Sequence, residues 1–366
     1  MAKLKVASLF CGCGGTDVGL LGNFDFLGKH YDSNNMEIVY ANDIDDNACK
    51  IFEENFGLKP DNRDIRQVSS SELPDFDILT GGFPCQSFSI IAQNPKRLGV
   101  KDDRGKLFFE MCRILKDKQP KCFIAENVKG LTNLEDVKEV IEHDFAEAGN
   151  GGYIVVRAKV LNASHYGVPQ GRERVIFFGF NKKELTKKAL EELSKTEISE
   201  EYNPYPKETH SKTDKSLSPI VTCKDAFTGL EEPDESDDKS QKIFSKAKYM
   251  GSHCQGQTEV KLDDIGPTIR SEHHGNIEYR RLSAEHGGKH IKELEKGLAE
   301  RRLTVRECAR IQTFPDNYQF ILPKTENNVS VSSSDAYKII GNAVPCVLAY
   351  NIAKNIESKW KLYFGE

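Results

Sequence analysis

Short apolar runs alternate with segments of helical period through the first half of the chain. KLKVASLF is a β-leaning run that ends in a glycine-rich turn, CGCGGTDVG, and EIVYAND reads as a second strand. DDNACKIFEENFG follows with Ala48, Ile51 and Phe52 on one helical face. FDILTGGF is a third strand, GKLFFEMCRILKDK an amphipathic helix, KCFIAENV a fourth strand and LEDVKEVIEHDFAEAG another helix. YIVVRAKVLN and ERVIFFGF complete the set. Strands alternating with helices predict an α/β fold, a mostly parallel sheet with helices on both faces. Ligands then bind outside the carboxyl ends of the strands.

The pattern changes after Phe180. KKELTKKALEELSK reads as a charged helix, and the acidic run EEPDESDD as a solvated loop. Between Ser240 and Arg310 there are 14 Lys/Arg against 10 Asp/Glu, so this stretch is locally basic, and it carries five histidines. Residues 183–331 are therefore read as a second domain. The last segment, SDAYKIIGNAVPCVLAYNIAKNIESKW, reads as one helix with Ile339, Val347, Ile352 and Ile356 on its apolar stripe. It needs a core to cover, and the open place is beside the first strand. Residues 332–366 thus complete a first domain of residues 1–182.

With 366 residues, 38% of them hydrophobic, the chain has enough apolar surface for a packed core. No run of about 18 apolar residues occurs, which excludes a membrane-spanning helix. The opening MAKLKVASLF enters a strand without a signal-peptide pattern, so a cytoplasmic protein is expected. The net charge of −5 argues mildly against a nucleic-acid partner, although charge distribution matters more than its sum. Ten cysteines are scattered without a paired CxxC array, which favours reduced thiols over disulfides or a metal site.

Four features carry candidate chemistry. The glycines of FCGCGG permit close approach of a ligand to backbone, and Asp43, at the end of strand two, is placed to accept hydrogen bonds from ribose hydroxyls. Together they point to an adenosine-containing cofactor; the plainer reading is a strand–helix turn with Asp45 as N-cap. Cys85, in GGFPCQSFS, follows a proline that fixes the turn, which suits a presented nucleophile better than a buried structural thiol. Glu126 follows apolar FIA at the end of strand four and can donate a proton at the same edge, unless it is merely salt-bridged. QGRER brings Arg172 and Arg174 to that rim, where guanidinium groups recognise anions or carbonyl oxygens.

In combination these motifs resemble the cytosine-5 DNA methyltransferases of bacterial restriction–modification systems. FCGCGG, GGFPCQSFS, ENV, QGRER, RRLTVRECARIQTFP and YKIIGNAVP match that family's motifs in order along nearly the whole chain. The resemblance implies a Rossmann-like sheet that binds S-adenosylmethionine, and a smaller target-recognition domain. It implies methyl transfer to carbon 5 of a cytosine flipped out of double-stranded DNA, by a monomer paired in function with a restriction endonuclease. Cys85 would add to ring carbon 6, Glu126 would protonate ring nitrogen 3, Arg174 would hold the ring carbonyl oxygen, and Arg172 would contact phosphate or support the site. Phe10, Gly12, Gly14, Asp43, Ile44, Asp64, Ile65, Leu107 and Asn342 resemble the cofactor contacts.

In the recognition domain, Gln255-Gly256 and Thr268-Ile269 match the family's Gln-Gly and Thr-Leu pairs, Gln255 filling the place of the flipped base. Arg270, His273 and His274 would read base edges, with a structural role for the two histidines as the alternative. Two positions depart from the family pattern: Ser8 stands where an aspartate is common, and Ile44 replaces an aromatic. Rival readings are a tRNA cytosine methyltransferase, a catalytically silent DNA-binding homologue, and a cysteine hydrolase using Cys85 with His165.

Overall fold

A computed structural model describes residues 2–83, 106–130, 135–271, 276–324 and 330–365. Six strands form the main sheet: β1 (Leu4–Leu9), β4 (Met36–Asn42), β5 (Ile78–Gly82), β6 (Cys122–Val128), β7 (Tyr153–Asn162) and β8 (Glu173–Asn181). Their order is β4-β1-β5-β6-β8-β7. The first four run parallel, and β8 enters antiparallel between β6 and β7. Successive residues along each strand point to opposite faces. Val6, Ile78, Cys122 and Ile176 enter one buried cluster while Ala7, Leu79, Phe123 and Phe177 enter another. Both faces are covered, which is why the strands read as continuous apolar runs.

Helices α1 (Gly15–Leu21) and α2 (Asp46–Phe56) follow β1 and β4, and α3 (Lys106–Lys118) and α4 (Glu135–Gly151) flank β6. Ala48, Ile51 and Phe52 are buried, as their spacing predicts. A small hairpin, β2 (Phe24–Phe26) with β3 (Lys29–Tyr31), was not legible in the sequence. Three-residue strands are too short to show a period. Its turn, Leu27-Gly28, holds both residues at positive φ, as tight two-residue hairpins require.

Beyond β8 the elements are short: α5 (Lys187–Leu193), β9 (His210–Ser211), β10 (Ser218–Pro219), α6 (Cys223–Phe227), α7 (Lys239–Lys242), β11 (Tyr279–Arg281), α8 (Ile291–Glu295), β12 (Arg301–Arg302) and α9 (Val305–Ile311). The charged helix expected after Phe180 shrinks to α5, capped by Thr186. Buried side chains from this region, among them Tyr205, Cys223, Ile269 and Phe314, belong to the same apolar cluster as Val6.

The terminal segment corrects the sequence reading in one respect. It is two helices, α10 (Ser333–Asn342) and α11 (Cys346–Phe364), because Pro345 lacks an amide and biases Val344 away from helical backbone. As expected, the segment covers the core by the first strand: α11 packs on α1, and Val347, Ile352 and Ile356 join Val6 of β1 in one buried cluster. A Cβ on Gly19 would lie 2.5 Å from both the Ala349 side chain and the Cys346 carbonyl oxygen, so glycine sets how closely the two helices approach. Gly19→Ala is expected to destabilise the protein by about 1–3 kcal/mol through overpacking. An unchanged thermal midpoint would contradict this packing.

Candidate active site at the carboxyl edge of the sheet

Register puts the candidate residues on one edge. Leu9 pairs with both Asn42 and Gly81, and Gly82 pairs with Glu126, so β1, β4, β5 and β6 end together. Because β8 is antiparallel, its first residues meet the end of β6, and Arg174 pairs with Val128. Arg174 Nε lies 2.6 Å from Glu126 Oε1. Glu126 is thus ion-paired, the plainer alternative of the sequence reading, yet paired with the arginine expected to share its site. Its second oxygen would lie 2.9 Å from a Cβ on Gly82, so a larger residue at the end of β5 would push the Glu126 carboxylate aside. Asn127 Nδ2 donates to the Phe83 carbonyl at 2.9 Å, anchoring the chain two residues before Cys85. Cys85 itself, with His273 and His274, lies outside the described residues.

The glycine loop and the end of β4 are joined through Asp43. Its carboxylate accepts from the Gly12 amide at 2.8 Å and from the Asp45 amide at 2.9 Å. Burial raises its pKa, and these two amides act against the rise. Asp45 separately caps α2 by accepting from the amides of Asn47 and Ala48. Asp45 is thus the N-cap of this turn, and Asp43 is a separate, backbone-held acid beside the glycine loop. Phe10 and Gly12 both adopt positive φ, which is uncommon for a phenylalanine. A Cβ on Gly12 would meet nothing within 4 Å, so the space before the loop is open. Ile44 beside it is 68% exposed, and Phe10 and Leu107 are half-buried against one apolar cluster.

Other expected contacts are placed differently. The Ile65 side chain is buried in the core, and Asp64 caps the following turn and pairs with Arg66. Any contact from that turn has to come from Asp64 or from backbone. Asn342 is exposed at the end of α10, and α10 reaches the same edge through Lys338, which pairs with Asp45 at 3.0 Å.

Arg172 does not reach the surface. It is 1% exposed and donates to the carbonyls of Ile269 and Gly341, which corrects the phosphate-contact alternative and leaves the supporting one. The Thr268 hydroxyl turns inward to the Gly171 carbonyl, and Arg270 pairs with Glu278. Gln255 is exposed, while neighbouring Gly256 is buried against Asn276 and accepts from Arg302. His165, the partner required by a hydrolase, bonds to Glu208 at 2.6 Å.

Reading the sequence also missed Asp17. This carboxyl is 0% exposed, facing the Ser8 hydroxyl and its own amide without a hydrogen bond of good geometry to either. Burial pushes its pKa up to about 7, with Ser8 opposing. No signal in the sequence marked it, although it faces Ser8, the position where the family pattern often has an aspartate. Burial also raises the thiols of Cys11, Cys13, Cys122, Cys308 and Cys346, so these are packing groups rather than nucleophiles.

A mostly parallel sheet with an inserted antiparallel strand, a backbone-held acid after β4 and an acid–arginine pair at the end of β6 are the features that position this site. Comparison with known proteins makes this specific. The family model described as C-5 cytosine-specific DNA methylase matches residues 4–358. The type II methyltransferase M.FnuDI of Fusobacterium nucleatum is 34% identical over 97% of this chain and 94% of its own. M.HhaI of Haemophilus parahaemolyticus, another type II methyltransferase, is 32% identical over 98% of this chain and 97% of its own. Among solved structures, the S. pombe Dnmt2 methyltransferase superposes with TM-score 0.64 at 20% identity, covering 97% of this chain and 99% of that one. A putative DNA modification methyltransferase from an E. coli prophage gives TM-score 0.62 at 21% identity, with the same coverage. The chain belongs to the C-5 cytosine-specific DNA methylase family and is a DNA cytosine-5 methyltransferase.

Asp17 gives a pH signature. Folded, it keeps its proton to about pH 7, whereas an unfolded aspartate releases it near pH ~4. The folded state binds more protons across that window, so this group lowers stability as pH rises through it. Asp17→Asn should raise the thermal midpoint relative to wild type at pH 8, with an advantage that shrinks as pH falls towards ~4. An equal difference at both ends of the range would refute the buried neutral acid.

Proposed function

We propose that the chain methylates carbon 5 of a flipped-out cytosine within one short duplex DNA sequence, through a covalent bond between Cys85 and ring carbon 6. The adjacency of Glu126 and Arg174 supports this most strongly. Ring nitrogen 3 and the ring carbonyl oxygen of cytosine are neighbours, and a carboxyl with a guanidinium beside it matches them as a pair. The Cys85 thiolate adds to carbon 6 and Glu126 delivers a proton to nitrogen 3, converting the ring to an enamine with a nucleophilic carbon 5. Arg174 binds the carbonyl oxygen, where electron density gathers. Once carbon 5 has taken the methyl group, a base removes its proton, the Cys85 thiolate leaves carbon 6, and nitrogen 3 returns its proton to Glu126.

S-adenosylmethionine, when bound, supplies the electrophilic methyl group. The open space before Gly12 fits such a ligand, with Asp43 for the ribose, exposed Ile44 for one face of the adenine, and Phe10 and Leu107 as apolar wall. Gly14, Asp64 and Asn342 would complete the cofactor contacts, Gly14 through its backbone because its Cβ side is closed by Phe56. Residues 183–331 serve as the recognition unit, with Gln255 entering the space left by the flipped base. The type II relatives support duplex DNA over tRNA, and a functional pairing with a restriction endonuclease.

Bisulfite sequencing of DNA from a host expressing the chain should reveal protected cytosines in one short sequence. Absence of any new protected cytosine would overturn the reading. On a duplex of that sequence, Cys85→Ser should lose methyl incorporation while keeping DNA binding, and incorporation within about tenfold of wild type would sink the thiolate's role. Glu126→Gln should slow transfer by about 100-fold or more with little change in cofactor affinity. Normal turnover at neutral pH would assign the proton elsewhere.

A further inference from the structure

Behind the site, three stretches meet around buried polar side chains that the chemistry above does not use. Gln170 and Gln312 are each 0% exposed. Gln170 Oε1 accepts from the Ile269 amide at 2.7 Å, and its Nε2 donates to Gln312 Oε1 at 2.8 Å. Gln312 Nε2 then donates to the carbonyls of Ile340 at 2.7 Å and Ala343 at 3.1 Å. The relay has a fixed polarity: an N–H at one end and carbonyls at the other leave each amide a single orientation. Glutamate cannot donate and an apolar residue can do neither, so each replacement leaves buried groups unpaired.

Arg172 runs in parallel. Its two terminal nitrogens donate, each at 2.8 Å, to the carbonyls of Ile269 and Gly341. Both backbone groups of Ile269 are thus held by side chains that also grip, directly or through Gln312, residues 340–343. There is no slack between the two stretches: a Cβ on Gly341 would lie 2.2 Å from the carbonyl carbon of Arg270. Residues 268–270 adjoin the proposed base-reading groups, and residues 340–343 include Asn342, the proposed cofactor contact.

We infer that Gln170 and Gln312 are positioning residues that couple the two ligand sites, so that occupancy of the cofactor site orders residues 266–271 for DNA. This rests on the proposed cofactor site. Close packing lets the junction shift as a unit rather than deform piece by piece. By linkage, DNA binding then strengthens cofactor binding by the same factor.

Amide hydrogen exchange of the full chain, with and without S-adenosylhomocysteine, tests this without requiring the DNA sequence. In wild type, the cofactor product should slow exchange in the glycine loop, residues 10–15, and also slow it about fivefold or more at residues 266–271, the lower end of usual coupling. In Gln312→Met, slowing at 10–15 should persist while slowing at 266–271 disappears. Wild type needs no folded variant for its part: protection at 10–15 without protection at 266–271 overturns the coupling. Equal protection of 266–271 in both proteins overturns the role of the amide relay. No protection at 10–15 in wild type refutes the cofactor site, and the inference with it.

Discussion

The ion pair between Glu126 and Arg174 depends on one topological choice, the insertion of β8 antiparallel between β6 and β7. A parallel strand there would present its carboxyl end to the edge and carry QGRER to the far side of the sheet. Running the other way, β8 delivers Arg174 at its start, opposite the end of β6. The acid and the arginine then meet without a loop excursion, on two hydrogen-bonded strands. Placing both on the sheet limits their relative motion, which suits the proposed joint recognition of one base through its ring nitrogen 3 and the neighbouring carbonyl oxygen.

The same approach to β8 solves a second problem. Residues 169–172 run directly before the strand, and here the chain binds back to two distant stretches. Gly171 donates to the Gly266 carbonyl, Gln170 reaches Ile269 and Gln312, and Arg172 reaches Ile269 and Gly341. Burying an arginine is costly unless its donors are satisfied, even with Glu126 near enough to favour its charge. Carbonyl oxygens satisfy two of them here, and Arg174 nearby adds to the burial that draws its pKa down. The junction ties residues 266–269 to the start of β8 and to residues 340–343 at one point.

Most of the sheet was legible because both faces are covered. KLKVASLF, FDILTGGF, KCFIAENV and ERVIFFGF are each strands whose alternate residues enter separate apolar clusters. The short hairpin was hidden by its length, and the terminal break by reading through Pro345. At the site, Asp43 and Glu126 were readable because an acid ending an apolar strand has to lie at the carboxyl edge. The direction of the Arg172 and Thr268 side chains was not readable, since spacing gives position along a strand but not which partner, solvent or carbonyl, a side chain finds. Asp17 escaped for a related reason. An acid in the first turn of a helix looks like ordinary helix-end electrostatics, and only packing shows it to be buried.

The account stands on Cys85 forming a bond to the cytosine ring while Glu126 and Arg174 hold it. A duplex of the methylated sequence with 5-fluorocytosine at the target position tests this directly. Fluorine at carbon 5 cannot leave as a proton does, so addition and methyl transfer proceed but release of the thiolate stops. Incubated with S-adenosylmethionine, the protein should gain the mass of the methylated strand under denaturing conditions, with the attachment mapped by peptide mass spectrometry to Cys85. A protein that methylates the ordinary duplex yet forms no adduct with the fluorinated one, or an adduct on another residue, would contradict the account.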